Sequence, residues 1–285
     1  MRLEIDQNAG FCFGVMNAIQ LAEKYLENHS YLYCLGAIVH NEAEVNRLQK
    51  SGLRIIDHEK FKNLKNETVL IRAHGEPVET YQVAKENTLH LIEGTCPIVL
   101  RLQQMIRAKT SEDGVQVVIF GKPDHPEAIG LASQIGGNVQ IAQASHKLTL
   151  DFSKPIYVYS QTTMDAERYA DFCRQLQQKS EQLHQESQIV CHNSVCGKVA
   201  NRSKKIREFA QKHDIIIFVS GKDSSNGNYL YSVAKKQNPK TYFISKPDDL
   251  DMGWLENADS VGISGATSTP QWLMEKIADK ITWHT

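Results

Sequence analysis

One arrangement is written three times in this chain, and it leaves few folds open. Cys12, Cys96 and Cys196 each stand where an amphipathic helix would begin, and each helix leads to a short apolar run that ends in glycine, at Gly36, Gly121 and Gly221. The separations from cysteine to glycine are 24, 25 and 25 residues. Four residues past each glycine comes a side chain with chemistry to offer: His40, His125 and Ser225. A helix followed by a buried-type strand, repeated in this way, calls for parallel α/β units. The shared position of the cysteines predicts that they meet where the three units meet.

The rest of the chain fits that frame. Alternation predicts a strand at Arg2–Asp6, and apolar spacing predicts a helix over Phe13–Leu26. Further strands are expected at Tyr31–Leu35, Thr68–Ile71, Val115–Phe120, Ile156–Tyr159, Ile215–Val219 and Ser260–Ile263, with helices between them. Those helices include one from Pro97 toward Ser111, a polar one from Asp165 to about Glu186, and a basic one from Val199 to His213. The expected units are 1–96, 97–192 and 193–285. In parallel sheets, ligands bind where strands exit toward helix N-termini, whose free N–H groups favour anions. The exit loops carry His40, His74, His125, Glu127, Thr162, Thr163, Ser224, Ser225, Asn226 and Ser268.

Bulk properties exclude other classes. A net charge of −1 over 285 residues gives no global field for nucleic acid or an anionic membrane. The longest continuous apolar run, Ile215–Val219, is far too short to span a bilayer, and the start Met1-Arg2-Leu3-Glu4-Ile5-Asp6 is unlike a signal peptide. A cytoplasmic protein is expected, with six cysteines serving as thiols, catalytic groups or metal ligands.

A single buried cysteine is more often an apolar filler than a ligand. The repeat position changes that balance for Cys12, Cys96 and Cys196, because a helix N-terminus stabilises the thiolate that binds metal. Cys34 and Cys173 read as packing, and Cys191 as a spare ligand. Structural zinc takes four protein ligands, commonly in close pairs that this chain lacks. An iron-sulfur cluster held by three cysteines leaves one iron without a cysteine ligand. His40, His74 and His125, beside serine, threonine and asparagine donors, predict a cradle for an oxyanion with some positive charge. No Gly-x-x-x-x-Gly-Lys-Ser/Thr loop is present and no Gly-x-Gly-x-x-Gly follows the first strand, which disfavours ATP and dinucleotides. Glu127 is a candidate proton donor if burial raises its pKa, and otherwise a first-turn acid complementing a helix dipole. The run Lys198, Arg202, Lys204, Lys205, Arg207 is a solvated helix face or a docking surface for an acidic electron carrier.

Together these elements resemble the 4-hydroxy-3-methylbut-2-enyl diphosphate reductase family of isoprenoid biosynthesis. The likeness rests on Gly10-Phe11-Cys12-Phe13-Gly14-Val15, Val39-His40-Asn41, Ala73-His74-Gly75, Thr95-Cys96-Pro97, His125-Pro126-Glu127, Gln161-Thr162-Thr163, Cys196 with Asn201-Arg202, Ser224-Ser225-Asn226 and Ser264-Gly265-Ala266-Thr267-Ser268-Thr269-Pro270. The resemblance implies three similar α/β domains in a pseudo-threefold trefoil around one 4Fe-4S cluster per chain, with Cys12, Cys96 and Cys196 as ligands. It implies diphosphate contacts at His40, His74, Ser224, Ser225, Asn226 and Ser268, with His125 also lining the pocket. It gives a proton relay at Glu127 and a hydroxyl contact in the Gln161-Thr162-Thr163 turn, where Thr162 is favoured over Thr163. The implied reaction is reductive dehydroxylation of an allylic diphosphate, its hydroxyl on the open iron, to isopentenyl and dimethylallyl diphosphates. Electrons in the family come from ferredoxin or flavodoxin. Gly94 and Asp124 depart from the family pattern, and Asp124 is placed to alter the protonation of His125 or Glu127. The competing readings are a cluster-dependent dehydratase, which needs no reductant, and a substrate-free redox protein, which needs no pocket.

Overall fold

The computed structural model describes residues 1–109, 114–183 and 188–283. Its twelve described strands form three four-stranded sheets, every pairing parallel. The first sheet runs β3 (Leu53–Ile56), β2 (Leu32–Leu35), β4 (Thr68–Ile71), β5 (His90–Glu93). The second runs β7 (Val139–Ala142), β6 (Gln116–Phe120), β8 (Ile156–Ser160), β9 (Ile189–Cys191). The third runs β11 (Thr241–Ile244), β10 (Ile215–Val219), β12 (Ser260–Gly265), β1 (Arg2–Ile5). The inner strands are the apolar runs of the sequence. β6, β8 and β10 are buried at every residue, as parallel strands covered by helices on both faces must be.

Each cysteine opens a helix that packs on the sheet that follows it. In α1 (Phe13–Leu26), Ala18, Ile19 and Ala22 face Leu32 and Cys34 of the first sheet. In α5 (Pro97–Arg107), Leu102 and Ile106 pack on Val117 and Ile119 of the second. In α8 (Gly197–Ala210), Ile206 and Phe209 pack on Ile216 and Phe218 of the third. The strand before each cysteine belongs to the previous sheet: β1 to the third, β5 to the first, β9 to the second. Each cysteine therefore stands on a crossing between units, and the crossings run in a ring.

That ring corrects the expected division in one element. Arg2–Ile5 pairs with Ser260–Ile263, so it closes the third sheet and not the first. Its alternation identifies a strand but carries no information about the partner. We therefore propose that the third unit comprises residues 193–285 together with the first six, and that the first unit begins near Cys12. Two expected helix ends, Ser111 and Glu186, lie outside the described residues; the described helices are Pro97–Arg107 and α7 (Ala166–Gln182).

Candidate active site

The three crossings converge. Cys12, Cys96 and Cys196 each occupy the residue just before a helix, each in extended or near-extended backbone, and none spends its side chain capping that helix. All three are free thiols lining one cavity, which has about 840 Å³ between its walls, mouth included. Burial pushes the Cys96 thiol up, the Ile98 and Val99 amides pull it down, and Cys12 and Cys196 push it up again, so the sulfurs are close enough to sense one another. Gly14 makes the meeting possible: a Cβ there would lie 2.8 Å from both Cβ and Sγ of Cys96. The other cysteines stay away. Cys34 is buried in the first core, and Cys191, the expected spare ligand, packs against Cys173 in the second. Three thiols at three helix N-termini, with no fourth cysteine in the lining, suit a four-iron cluster with one iron open to the cavity.

One wall is made of histidine. His40 and His74 have ring centroids 5.4 Å apart, His74 and His125 5.3 Å, and His40 and His125 6.3 Å. Burial holds all three rings below the ordinary imidazole range, with Arg72 pressing His40 and His74 further down. His125 is pushed down to about 4 by burial, then by His40, Lys122 and Arg72. Asp124 works in the opposite direction on His125 and is outweighed, and it is not among the groups that shift Glu127. The expected positive charge is thus not on the rings, which stay neutral at neutral pH in the ligand-free site. It is carried by Arg72 and Lys122, which the sequence reading did not single out. Their signal lay in plain view, as the first residue of the Arg72-Ala73-His74 turn and the residue after Gly121. Thr267, beside Ser268, was also passed over.

A nitrogen from each of the three rings lies within 4.8 Å of the others, close enough for one metal ion. The tautomer of His125 opposes that use. Its Nδ1 accepts the Glu127 amide at 3.2 Å, so the neutral ring carries its proton on Nε2. A histidine that binds metal through Nε2 needs the reverse, with Nδ1 donating. His125 is therefore a hydrogen-bond donor at Nε2. His74 has a buried Nδ1 without a partner, an orphan a ligand oxygen would satisfy.

Another part of the lining is hydroxyl and amide. Ser224 and Ser268 place their Oγ atoms 3.0 Å apart, and Ser224 accepts the Gly227 amide as the N-cap of α9 (Ser225–Gln237). Asn226 donates to Thr267 at 2.7 Å, while its buried Oδ1 has no partner. Lys122 donates to Ser225 Oγ. A helix N-terminus, four hydroxyls, an amide and a lysine form an anion cradle in the cavity that the thiols line.

The same cavity holds the acid. Glu127, 2% exposed, accepts the Thr162 amide at 2.6 Å, and the Thr162 carbonyl accepts the Cys196 amide at 2.8 Å. Burial raises Glu127 to about 7 against the lowering effect of the Thr162 hydrogen bonds. Thr163 accepts from Gln161, which holds the turn in place. All the residues expected in the site thus line one cavity: three cysteines, three histidines, Glu127, Thr162, Thr163, Ser224, Ser225, Asn226 and Ser268.

Comparison with known proteins gives a consistent picture. The family described as LytB protein matches residues 3–282. The 4-hydroxy-3-methylbut-2-enyl diphosphate reductase of Bacteroides fragilis is 45% identical, with 99% of this chain and 97% of that one covered. The enzyme of the same name from Phocaeicola vulgatus is 46% identical over 97% and 96%. A solved (E)-4-hydroxy-3-methyl-but-2-enyl diphosphate reductase, described as the terminal enzyme of the non-mevalonate pathway, superposes with a TM-score of 0.76 at 31% identity, covering 99% of this chain and all of its own. The E-1-hydroxy-2-methyl-but-2-enyl-4-diphosphate reductase of Plasmodium falciparum gives 0.83 at 25% identity, with 99% and 88% covered. With nearly its whole length matched, the chain belongs to the LytB protein family.

Proposed function

We propose that this chain reduces (E)-4-hydroxy-3-methylbut-2-enyl diphosphate to isopentenyl and dimethylallyl diphosphates. The overall balance is cleavage of one C–O bond, formation of one C–H bond and release of water, at a cost of two electrons and two protons. The observation that carries the reading is the hydrogen-bonded link from the buried Glu127 through Thr162 to the amide of Cys196, in one cavity lined by both an anion cradle and three converging thiols.

A 4Fe-4S cluster on Cys12, Cys96 and Cys196 would supply electrons one at a time and an open iron as Lewis acid for the hydroxyl. The chain does the rest. His40, His74, Ser224, Ser225, Asn226 and Ser268 hold the diphosphate by donated hydrogen bonds, with His125 Nε2–H reaching in beside them. Lys122 and Arg72 supply the field that opposes its charge. Holding that end fixes the allylic hydroxyl against Thr162, so positioning is complete before chemistry begins. Glu127, raised by burial to about 7 and so available in its protonated form at neutral pH, passes a proton through the Thr162 hydroxyl to the departing oxygen. Val15, Ile38 and Val99 make the remaining wall apolar and keep bulk water from supplying protons at random.

An electron carrier of ferredoxin or flavodoxin type completes the reading, and a cytoplasmic setting suits six free thiols. No described helix is long and apolar enough to cross a membrane. The test is anaerobic purification, iron and sulfide counting, then assay of the diphosphate with dithionite and a mediator. Turnover is expected only with reductant. Turnover without any electron source would make the enzyme a dehydratase, and a cluster spectrum indifferent to the diphosphate would leave it a redox protein without substrate.

A further inference from the structure

The basic run on α8 takes no part in the cavity just described, yet it borders a second hollow that shares a wall with it. This hollow, about 910 Å³ with its mouth, lies between the segment Gln7–Cys12 and the first turns of α8. Cys12 lines both. The charged side chains around the second are Lys198, Arg202 and Lys205, with no carboxylate among the lining residues. Arg202 is committed to structure: it pairs with buried Asp6 at 3.4 Å and donates to the Gly265 carbonyl at 2.6 Å. Lys198 and Lys205 are exposed, and Lys205 rests on Asn8 Oδ1 at 2.7 Å. Directly after Cys12, Phe13 is 60% exposed and Met16 43% exposed, unusual for large apolar side chains in the first turn of a helix that packs on a sheet.

We infer that this face receives a small acidic electron-carrier protein, which reduces the cluster past Cys12. The inference rests on the reductase reading and adds the point at which electrons enter. Each encounter oxidises the carrier by one electron and reduces the enzyme by one; two encounters supply the pair that turns the C–O bond into C–H and water. While the diphosphate fills its cradle, the first cavity is occupied, so electrons need an approach from another side. The second hollow supplies one, with a ligand thiol in its wall. Its rim of one charge, with the exposed Phe13 next in the chain to the lining Cys12, suits a transient electron-transfer interface, small in area and steered by long-range attraction. Inorganic phosphate or another small anion would need only the lysines; a protein can in addition cover the exposed Phe13 and Met16 at the start of α1.

The experiment employs anaerobically prepared holoenzyme, wild type and the double variant Lys198→Glu/Lys205→Glu, with purified acidic flavodoxin as the probe. Binding of fluorescently labelled flavodoxin is titrated at low and high salt, and turnover is measured with reduced flavodoxin and, separately, with dithionite-reduced methyl viologen. Expected at low salt is a rise of about tenfold or more in both Kd and KM for flavodoxin, shrinking at high salt as steering is screened. Viologen-driven turnover stays within about twofold, since neither lysine lines the substrate cavity. Unchanged Kd and KM for flavodoxin would overturn the inference, and so would an equal loss with both donors. Phosphate that displaces flavodoxin from wild type at concentrations where chloride of equal ionic strength does not would make the hollow a small-anion site and overturn it as well. Failure of wild type with viologen would remove the reductase reading itself, an outcome separable from the binding titration.

Discussion

Glu127 has no cationic partner among the groups that shift it; what sets its proton affinity is burial, opposed by two hydrogen bonds from Thr162. This has two consequences with definite signs. As a donor it must be protonated, so the rate with a chemical reductant is expected to be level below about pH 7 and to fall above it. The Glu127→Gln variant cannot donate a proton; its turnover should drop by about 10²- to 10⁴-fold and lose that alkaline limb, while iron and sulfide content stay unchanged. Stability moves with the same proton. The folded pKa of about 7 lies above the unfolded value, so the contribution of this residue is fully present below the unfolded pKa and is lost as pH rises through 7. Glu127→Gln removes the penalty of a buried carboxylate, so the gap in unfolding free energy between variant and wild type should widen in favour of the variant as pH rises from the unfolded pKa to about 7, by up to about 3 kcal/mol in all, and stay level above it. Denaturant titrations under argon at pH 5 and pH 8 measure it. The histidines give a second prediction. In the free site they are held neutral by burial, and a bound diphosphate favours their cationic form, so binding should take up protons near pH 6 and weaken as pH rises. Calorimetry of product diphosphate in buffers of different ionisation enthalpy reads the proton number directly.

Legibility in the sequence follows position in the sheet. The strands recognised from sequence are β1 and the inner strands β2, β4, β6, β8, β10 and β12; those passed over, β3, β5, β7, β9 and β11, are all edges. An inner parallel strand is apolar throughout, as in Ile215-Ile216-Ile217-Phe218-Val219, and announces itself. An edge strand has one neighbour and half its surface wet, and His90–Glu93 reads exposed, intermediate, intermediate, exposed, a pattern no different from a loop. The site residues were legible for the opposite reason. Histidines, serines and cysteines recurring at strand exits and helix starts have a period of their own, independent of which strands flank them. What the sequence could not supply was approach distance: that Lys122 reaches Ser225, or that the Glu127 amide fixes the His125 tautomer. Helix packing makes its own prediction at Gly14. A methyl there would lie 2.8 Å from the Cβ and Sγ of Cys96, atoms too near the backbone to swing aside. Gly14→Ala should push α1 and α5 apart, so that the protein folds with ordinary helix content by circular dichroism but is purified with less iron than wild type.

At the scale of the whole molecule, the chain is a ring of three units opened at an unexpected place. In the first unit β4 leads through α4 (Val78–Glu86) to the edge strand β5, and in the second β8 leads through α7 to the edge strand β9. In the third, β12 leads into α10 (Gln271–Thr282), and the edge position beside β12 is filled by β1 from the other end of the chain. The missing covalent link is replaced by buried polar contacts. Asp6 accepts from Ser264 at 2.8 Å and pairs with Arg202 on α8, tying β1 both to its neighbour strand and to the helix that starts at Cys196. Breaking a buried pair by removing one partner costs about 3 to 5 kcal/mol, so Asp6→Ala should loosen the third unit strongly. The ring also implies a permutation. If β1 is the last strand of the third unit in all but connectivity, a chain that begins at Gly10 and carries residues 1–9 through a short flexible linker after α10 keeps every sheet pairing and the crossings at Cys96 and Cys196, and cuts only the one at Cys12. It should fold, bind the same iron and turn over within a few-fold of wild type, since β1 is held by its pairing with β12 and by the contacts of Asp6 with Ser264 and Arg202. A permutant opened instead between β10 and α9 severs the turn that carries Ser224 and Ser225, and should keep its cluster while losing affinity for the diphosphate. Cluster loss confined to the first permutant would mean that the bond between residues 9 and 10 holds Cys12 in place, and that the ring is closed by the chain and not by the sheet.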